Sequence, residues 1–283
     1  MKYRHACHAG NFADVMKHVV LVATLDRLMQ KDRPLFLLDT HAGRGRYDLG
    51  SRDTASEAGR GILRLAAAAP ANFPEPVTRY LTLVRAFNDG AEGPPREYPG
   101  SPLLAAMLLR PQDRAAFCEL QPVETEHLRG ELCGDARFAV HCRDGFEALG
   151  ALLPPAVGRG LAMVDPPYEA QEADFTRVAD ALVAASARWP QGVLMAWYPI
   201  KVGAVAARLH RRLIDAGMRR LLVAELCVHP DDSRAGLNGS GLVILEPPWQ
   251  LDRDLREALP ALHRVIAPDG RGRTRVAMIA GEK

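Results

Sequence analysis

The chain has 283 residues, of which 48% are hydrophobic and 25% are charged, and its formal net charge is +2 at pH 7. This composition predicts a globular protein with a large core. The five cysteines are odd in number and lack CxxC spacing, which argues against a disulfide framework or a zinc site and favours a reducing cytoplasm. Because no stretch approaches about 18 apolar residues and no apolar signal region is visible, we expect no membrane partner.

The first predicted element is a helix that begins at Asn11. Asn11 is a good N-cap, and Asp14 follows near the positive end of the helix dipole. Apolar residues then recur at helical spacing at Val15, Val19, Val22 and Met29. By position alone, Lys17 lies opposite this apolar stripe and is predicted to be solvated. His18 lies inside the edge of the stripe and is predicted to be a core histidine with satisfied hydrogen bonds.

Seven short apolar runs predict strands: PLFLLD (34–39), AAFCEL (115–120), RFAVHC (137–142), GLAMVD (160–165), GVLMAWY (192–198), RLLVAELCV (220–228) and GLVILE (241–246). Helix-period segments separate most of them, which is typical of a parallel sheet. Only the turn-rich HPDDSRAGLNGS separates the last two, which predicts a terminal antiparallel hairpin. We therefore expect an α/β protein with a seven-stranded, mostly parallel sheet, the Rossmann-like class I methyltransferase arrangement. Cys118 and Cys142 lie in apolar runs and are expected to be buried.

Residues 51–97 interrupt the alternation of strands and helices. Two helical-looking stretches, TASEAGRGILRLAAAA and EPVTRYLTLVRAFNDG, are followed by a loop. We predict an inserted helical subdomain at 51–97, with the core made of 1–50 and 98–283. The insertion is expected beside the carboxyl ends of the strands, where open α/β sheets bind ligands. Ser101 before Pro102 is typical of a helix cap and predicts the next helix.

The first strand runs into a short glycine-rich turn, DTHAGRGRYDLG. Gly43 and Gly45 allow the backbone to turn tightly and to approach a ligand closely. The pattern is not the full GxGxxG fingerprint, because Asp48 stands in the third position. A nucleotide-like cofactor site and an ordinary strand-to-loop turn both remain open on this feature alone.

Three consecutive predicted strands end in acids. Asp39 and Glu119 end the first two, and Asp144 with Gly145 follows the third. Glu119 can accept both hydroxyls of a ribose, and Asp144 can receive an adenine amino group. Carboxylates would repel the phosphates of a dinucleotide cofactor. They would attract an adenosine cofactor that carries positive charge and no phosphate. S-adenosylmethionine, with its sulfonium and ammonium charges, fits this description.

The fourth strand ends in DPPY. Asp165 and the Pro166 carbonyl are acceptors, and the two prolines stiffen the loop and remove two N–H donors. Tyr168 offers a ring on which a base could stack. An exocyclic amino group needs such acceptors to aim its lone pair at a methyl donor, so most of the catalysis would be positioning. The alternative is an ordinary strand-ending turn.

A second stretch, EPPW (246–249), has the same form and is predicted to be a structural turn. Glu246 is one methylene longer than aspartate, and its strand is expected to end at the opposite edge of the sheet from the cofactor. Trp249 is accordingly expected to pack as part of that turn.

Arginine-rich segments could contact a nucleic acid. Arg44 and Arg46 flank the glycine turn, and further arginines lie in 207–220 and 271–275. The alternative is that 207–220 forms a solvated helix face and that 271–275 is a frayed tail.

Four stretches together resemble the RlmJ family of 23S ribosomal RNA adenine-N6 methyltransferases: YRHACHAGNFADVMKH, LDTHAGRGRYDLGS, YPGSP and MVDPPYE. The likeness covers nearly the whole chain. DPPY is shared with many amino-methyltransferases, whereas HAGNxADVxKH and DTHAGxGRY are more specific. The resemblance implies S-adenosylmethionine as cofactor, no metal, and an N-terminal HAGN segment that covers the cofactor.

The resemblance also implies roles for individual residues. Its cofactor contacts correspond to His18, His41, Ser101, Glu119, Asp144 with Gly145, and Asp165. Asp165 is also its catalytic residue, and Lys17, near the active centre, is predicted to belong to the catalytic group with Asp165, Pro166 and Tyr168. Tyr3 corresponds to a tyrosine of the RNA site, and His5, also near the active centre, is predicted to contact the RNA. One departure, Phe12 where a relative has histidine, is expected to have no functional consequence.

The expected partner is 23S ribosomal RNA, free or early in assembly, and the expected state is a cytoplasmic monomer. A DNA adenine methyltransferase or exogenous-DNA-processing protein is a second hypothesis, although no dedicated sequence-reading domain is visible. A non-catalytic RNA-binding protein is a third, against which the intact DPPY argues. A nicotinamide dehydrogenase is disfavoured by the incomplete glycine fingerprint.

Overall fold

Ten helices and ten strands make up the described part of the protein, a computed structural model that covers residues 8–68, 73–170, 172–202, 205–234, 236–267 and 269–280. The strands are β1 (Phe36–Asp39), β2 (Arg46–Asp48), β3 (Glu97–Pro99), β4 (Arg114–Glu119), β5 (Phe138–Cys142), β6 (Gly160–Val164), β7 (Val193–Ile200), β8 (Leu221–Cys227), β9 (Gly239–Leu245) and β10 (Arg273–Ala280). The helices are α1 (Phe12–Met29), α2 (Arg52–Ala58), α3 (Ile62–Ala67), α4 (Glu75–Phe87), α5 (Ser101–Leu108), α6 (Pro122–Glu131), α7 (Gly145–Leu152), α8 (Glu172–Arg188), α9 (Val205–Asp215) and α10 (Leu251–Ile266).

The main sheet has the strand order β10-β8-β9-β7-β6-β1-β4-β5. The five strands from β7 to β5 in this order are parallel, whereas β9 pairs antiparallel with both β7 and β8. All seven predicted runs are strands of this sheet, and the terminal hairpin is confirmed. The topology is the Rossmann-like class I methyltransferase arrangement.

An eighth strand, β10, extends the sheet beyond the predicted seven, so the predicted strand number is wrong. It pairs antiparallel with β8 at the edge of the sheet. The alternative interpretation of 271–275 as a frayed tail is also wrong at its carboxyl end, because Arg273 and Arg275 belong to β10. Arg273 donates to the buried Glu225 at 2.9 Å. This ion pair holds β10 against β8 in addition to the backbone hydrogen bonds between the two strands.

Helices cover both faces of the sheet. One apolar core packs α1, α5 and α10 on one face, and a second packs α7, α8 and α9 on the other. The central strand β6 is buried along its whole length because both faces are covered. No helix of the described ranges is long and apolar enough to span a membrane.

Helix α1 lies in the interior of the protein. Its predicted cap is confirmed, since Asn11 Oδ1 accepts from the backbone N–H groups of Ala13 and Asp14, each at 2.9 Å. The helix packs against α4, α5, α10 and β9. The prediction of a solvated Lys17 is therefore wrong: the residue is 4% exposed. Elements distant in sequence cover the polar side of α1, which its apolar periodicity did not indicate.

The helices of residues 51–97 share their core with the rest of the protein. Tyr80 and Val77 of α4 and Ile62 of α3 belong to the same apolar cluster as Val15 of α1. The insertion is helical as predicted, and it lies between β2 and β3. Its description as a separate subdomain remains a prediction.

Two local expectations are wrong. Helix α5 begins at Ser101 with Gly100 as its N-cap, and the Ser101 hydroxyl donates to Asp39 Oδ2 at 2.6 Å. The serine therefore donates a hydrogen bond to the buried carboxylate at the end of β1 instead of capping its own helix, because a buried carboxylate needs hydrogen-bond donors. Cys142 is exposed because β5 is an edge strand, whereas Cys118 on the interior β4 is buried as expected.

Candidate functional site

Four acidic residues lie at one edge of the sheet. Asp39 and Glu119 are the last residues of β1 and β4, Asp144 lies just beyond β5, and Asp165 directly follows β6. These strands are parallel neighbours in the order β5-β4-β1-β6, so their carboxyl ends meet at the same edge. The sheet thereby assembles acids from a stretch of sequence that extends from Asp39 to Asp165. Such an edge is where open α/β sheets bind ligands.

The glycine turn after β1 is held against β4. Gly43 and Gly45 have φ of +63° and +86°, in the left-handed region that favours glycine. The Gly43 N–H donates to Glu119 Oε2 at 3.0 Å, and the Gln121 N–H donates to Oε1 at 2.7 Å. A carboxylate offers about four lone-pair sites, so Glu119 can accept further hydrogen bonds from a ligand.

Asp39 is a buried carboxyl whose pKa is raised above its ordinary value. It is 1% exposed and accepts from the Ser101 hydroxyl and, at 3.2 Å, from the His41 N–H. Burial raises the pKa of Asp39 to about 6, and the nearby charge of Asp165 acts in the same direction, whereas Ser101, His41 and Lys17 oppose it. Burial lowers the pKa of the neighbouring His41 to about 4, so that histidine is neutral at physiological pH.

We expect the affinity for S-adenosylmethionine to depend on this carboxyl. Asp39 is ionised above about pH 6 and neutral below it, so acidification removes a negative charge that attracts a cationic ligand. Between pH 7.5 and 5.0 we predict about a fivefold loss of affinity, equivalent to ~1 kcal/mol. Calorimetry across this range should show the loss in the wild type and a flat profile in Asp39→Asn. Burial also raises the pKa of Asp26 to about 6, so the matched control Asp26→Asn should retain the wild-type profile.

Asp144 caps α7 and is engaged by a cation. Its Oδ1 accepts from the N–H groups of Phe146 and Glu147, and its Oδ2 accepts from Arg177 at 2.9 Å. Although burial raises the pKa of Asp144, the bonds from Arg177 and the two N–H groups outweigh it and lower the pKa below its ordinary value. The Arg177 guanidinium also stacks 4.0 Å from the Phe146 ring centroid. Neither Arg177 nor Phe146 was predicted from the sequence.

Gly145 is required by close packing of α7 against the end of β1. A Cβ atom at this position would lie 2.0 Å from the Thr40 carbonyl oxygen, which is backbone and cannot rotate away. We predict that Gly145→Ala lowers the free energy of unfolding by about 1–3 kcal/mol. In the same helix, a Cβ at Gly150 would meet nothing within 4 Å. Gly150→Ala should therefore stabilise the protein by about 0.5–1 kcal/mol, and urea denaturation would reveal the opposite signs.

Lys17 connects α1 to the DPPY loop. Its Nζ donates to Asp165 Oδ2 at 2.6 Å and lies 2.8 Å from Asp14 Oδ1. The side chains of Lys17, Asp14 and Asp165 are 5%, 6% and 9% exposed. Although burial lowers the pKa of the Lys17 ammonium, the charges of the two carboxylates outweigh it and raise the pKa above its ordinary value. The lysine is therefore a permanent cation beside Asp165.

Tyr168 anchors the DPPY loop to β7. This residue has φ of +52°, and its hydroxyl donates to the Trp197 carbonyl oxygen at 2.6 Å. Its ring packs against Phe175 and Trp197, and the residue is 3% exposed. Pro166 is buried, whereas Pro167 is exposed. The packing thus gives Tyr168 an anchoring role, and its stacking on a base remains a prediction.

Trp197 belongs to the site, although the sequence did not single it out. On β7 it follows Ala196, the partner of Val164 in β6, and so lies beside Asp165. Its ring centroid is 5.7 Å from Lys17 Nζ, a cation–π distance. Its indole N–H donates to the Ser240 hydroxyl at 2.8 Å. Aligning the two predicted strands GLAMVD and GVLMAWY in parallel would have placed Trp197 beside Asp165.

His18 is 1% exposed, as expected for a core histidine. Its Nδ1 lies 2.8 Å from the hydroxyl of Tyr98, which also accepts from the Tyr80 hydroxyl at 3.0 Å. A cofactor contact of His18 remains a prediction. Tyr3 and His5, the predicted RNA contacts, lie outside the described residues.

The EPPW stretch lies at the other edge of the sheet. Leu245, the last residue of β9, pairs with Leu194 near the start of β7, which confirms that Glu246 is remote from Asp165. The prediction that Trp249 packs in the turn is wrong, since it is 81% exposed. Nothing in the described structure explains this exposure.

The two arginines beside the glycine turn are engaged within the protein. Arg44 donates two hydrogen bonds to Glu124, and Arg46 pairs with Glu97 and Glu131. The charge that they could offer to an RNA phosphate is therefore largely neutralised.

Comparison with known proteins identifies close relatives. A family model described as "Ribosomal RNA large subunit methyltransferase D, RlmJ" matches residues 32–280. Two curated relatives, from Escherichia coli K12 and Haemophilus influenzae, are each named "Ribosomal RNA large subunit methyltransferase J". Each is 39% identical over 284 residues, covering 100% of both chains.

A solved structure is also similar to this protein. A crystal structure of a Legionella pneumophila protein matches with a TM-score of 0.86 and 32% sequence identity. The match covers 98% of this chain and 99% of that chain. The similarity therefore extends over the insertion as well as the sheet.

Proposed function

The chain belongs to the RlmJ family of ribosomal RNA large-subunit methyltransferases, and from this premise we propose how its own residues perform adenine-N6 methylation of 23S ribosomal RNA. The observation that carries the proposal is the Asp165–Lys17 pair at the carboxyl end of β6, next to the buried Asp39. A rigid, charged acceptor at this edge is what an amino group needs for methyl transfer.

The residues at the sheet edge fit the family's cofactor, S-adenosylmethionine, which supplies the methyl group when bound. The Gly43–Gly45 turn provides a close backbone approach, and Glu119 retains acceptor capacity for ribose hydroxyls. Asp39 contributes negative charge above about pH 6 for a cationic ligand. We assign the other cofactor contacts to His18, His41, Ser101, Asp144 with Gly145, and Asp165.

Asp165 and the Pro166 carbonyl are proposed to accept the two hydrogens of the adenine amino group. Lys17 holds Asp165 Oδ2, and the carboxylate keeps lone pairs for the substrate. Accepting both hydrogens draws the nitrogen away from conjugation with the ring and directs its lone pair toward the methyl group. No strong base is required before attack, because the proton can leave after transfer. Extrusion of the base from its helix costs a few kcal/mol, which RNA binding must supply.

The RNA is proposed to be free or early in assembly, and the enzyme to act as a cytoplasmic monomer. The names of the two curated relatives, as large-subunit ribosomal RNA methyltransferases, support the large-subunit RNA as substrate. Tyr3 and His5 are proposed to contact the RNA beside the adenine.

Mapping of N6-methyladenine by mass spectrometry tests this function. In 23S ribosomal RNA from a deletion strain, one adenine should lose its methyl group, and the wild-type gene should restore it. The purified enzyme should methylate protein-free 23S RNA and not duplex DNA. Methylation of duplex DNA alone would favour the alternative of a DNA adenine methyltransferase, and an absence of cofactor binding would favour a non-catalytic RNA-binding protein.

A further inference from the structure

Asp14 is a buried carboxylate that connects two parts of the site. Its side chain is 6% exposed in the first turn of α1. Its Oδ1 lies 2.8 Å from Lys17 Nζ, and its Oδ2 accepts from the Gly10 N–H at 3.1 Å. The sequence indicated only a favourable interaction of Asp14 with the helix dipole. A buried charge is costly, so two specific contacts for its two oxygens indicate a further role.

Asp14 determines where the Lys17 ammonium lies. A lysine side chain is flexible and carries a compact charge, so one partner alone would leave several rotamers open. Here two carboxylates, one on the same helix and one on the DPPY loop, hold Nζ between them at 2.8 and 2.6 Å. Because Asp165 accepts a charged hydrogen bond from Lys17, a displacement of Nζ would also displace the catalytic carboxylate.

The insertion holds the other side of Asp14. The Gly10 carbonyl accepts from the Ile62 N–H at 2.8 Å, at the start of α3. A Cβ at Gly61 would lie 2.1 Å from this carbonyl oxygen, so only glycine allows the contact. A continuous series of contacts therefore runs from the α2–α3 turn through Gly10, Asp14 and Lys17 to Asp165.

We propose that Asp14 is a positioning residue for methyl transfer, which acts through Lys17 on Asp165. The proposal rests on the methyl transfer proposed above. It assigns to the helical insertion a role in placing the catalytic carboxylate, through the hydrogen bond from Ile62 to Gly10.

Asp14→Asn is the direct test, because asparagine keeps the shape and can still accept from Gly10 but carries no charge. We expect kcat to fall about ten- to hundredfold, as for a displaced reacting group. KM for protein-free 23S RNA and Kd for S-adenosylmethionine should change less than about twofold, well under the tenfold that 1.4 kcal/mol produces. Rates are divided by the number of cofactor-binding sites measured by calorimetry, which removes the effect of any unfolded fraction. Asp26→Asn on the same helix is the matched control and should retain full kcat.

Two further variants separate positioning from simple stability. Asp14→Glu retains the charge and should recover most of the lost kcat. In a Lys17→Met background, Asp14→Asn should cause no additional loss in single-turnover rate, because the residue through which it acts is absent. Normal kcat in Asp14→Asn, no recovery in Asp14→Glu, or additive losses would each overturn the proposal. A wild-type enzyme that fails to methylate the RNA would instead refute the proposed function.

Discussion

Asp165→Ala is expected to fold and to bind S-adenosylmethionine only somewhat less well than the wild type, while methyl transfer falls by about 10²–10³ in kcat. The loss follows from removal of the acceptor that orients the amino group. Folding is preserved because Lys17 retains Asp14 as a partner at 2.8 Å, so no buried cation is left unpaired. Radioactive methyl transfer to 23S RNA and calorimetric titration of the cofactor measure the two properties separately.

The chain contains its own control for this substitution. Glu246→Ala removes a carboxylate from the same strand–acid–Pro–Pro–aromatic pattern, but at the opposite edge of the sheet. Because Glu246 is partly exposed and pairs with the partly exposed Arg220 at 3.2 Å, its removal should leave kcat and stability nearly unchanged. Normal methylation of ribosomal RNA in cells that carry only Asp165→Ala would exclude the role assigned to Asp165.

Lys17→Met is expected to have the largest effect on stability, with a loss of about 3–5 kcal/mol in the free energy of unfolding. The substitution removes the cation between two carboxylates that are 6% and 9% exposed, and leaves both charges without it. Activity should also be lost, since Asp165 is no longer held. Guanidinium denaturation measures the first effect, and single-turnover methylation measures the second.

The origin of that loss can be checked within the same cluster. Addition of Asp14→Asn to Lys17→Met removes one of the two repelling charges and should restore part of the stability. The same Lys→Met change at the exposed Lys31 should cost less than about 0.5 kcal/mol. If the double variant is less stable than Lys17→Met alone, the charge-based explanation is wrong.

Much of the sheet and several parts of the site could be predicted because they depend on local patterns. Apolar runs of strand length indicated all seven core strands, and the acids that end or closely follow the first four of these runs indicated the ligand edge. The Asn11 cap and the Gly43–Gly45 turn follow from the conformational preferences of single residues. The DPPY loop was identified because a stiff, acceptor-rich sequence directly follows a buried strand.

Other features depended on which segments come together in space. The prediction of a solvated Lys17 was wrong because helical periodicity describes one helix in isolation, whereas α1 packs against α4, α5, α10 and β9. The Ser101 hydroxyl reaches Asp39, 62 positions away, instead of capping its own helix. Cys142 is exposed because β5 lies at an edge, a property of strand order and not of the strand's own sequence.

The sequence by itself determined the kind of chemistry: acids at strand ends, a glycine turn and a rigid acceptor loop suited to an amino-methylating enzyme. Only the tertiary structure decided how these groups are charged and held. Burial raises the pKa of Asp39 to about 6, and Lys17 lies between Asp14 and Asp165 at distances of 2.8 and 2.6 Å. The physical reason is that burial and electrostatic contact are sums over neighbours from distant segments, so no single stretch of sequence contains them.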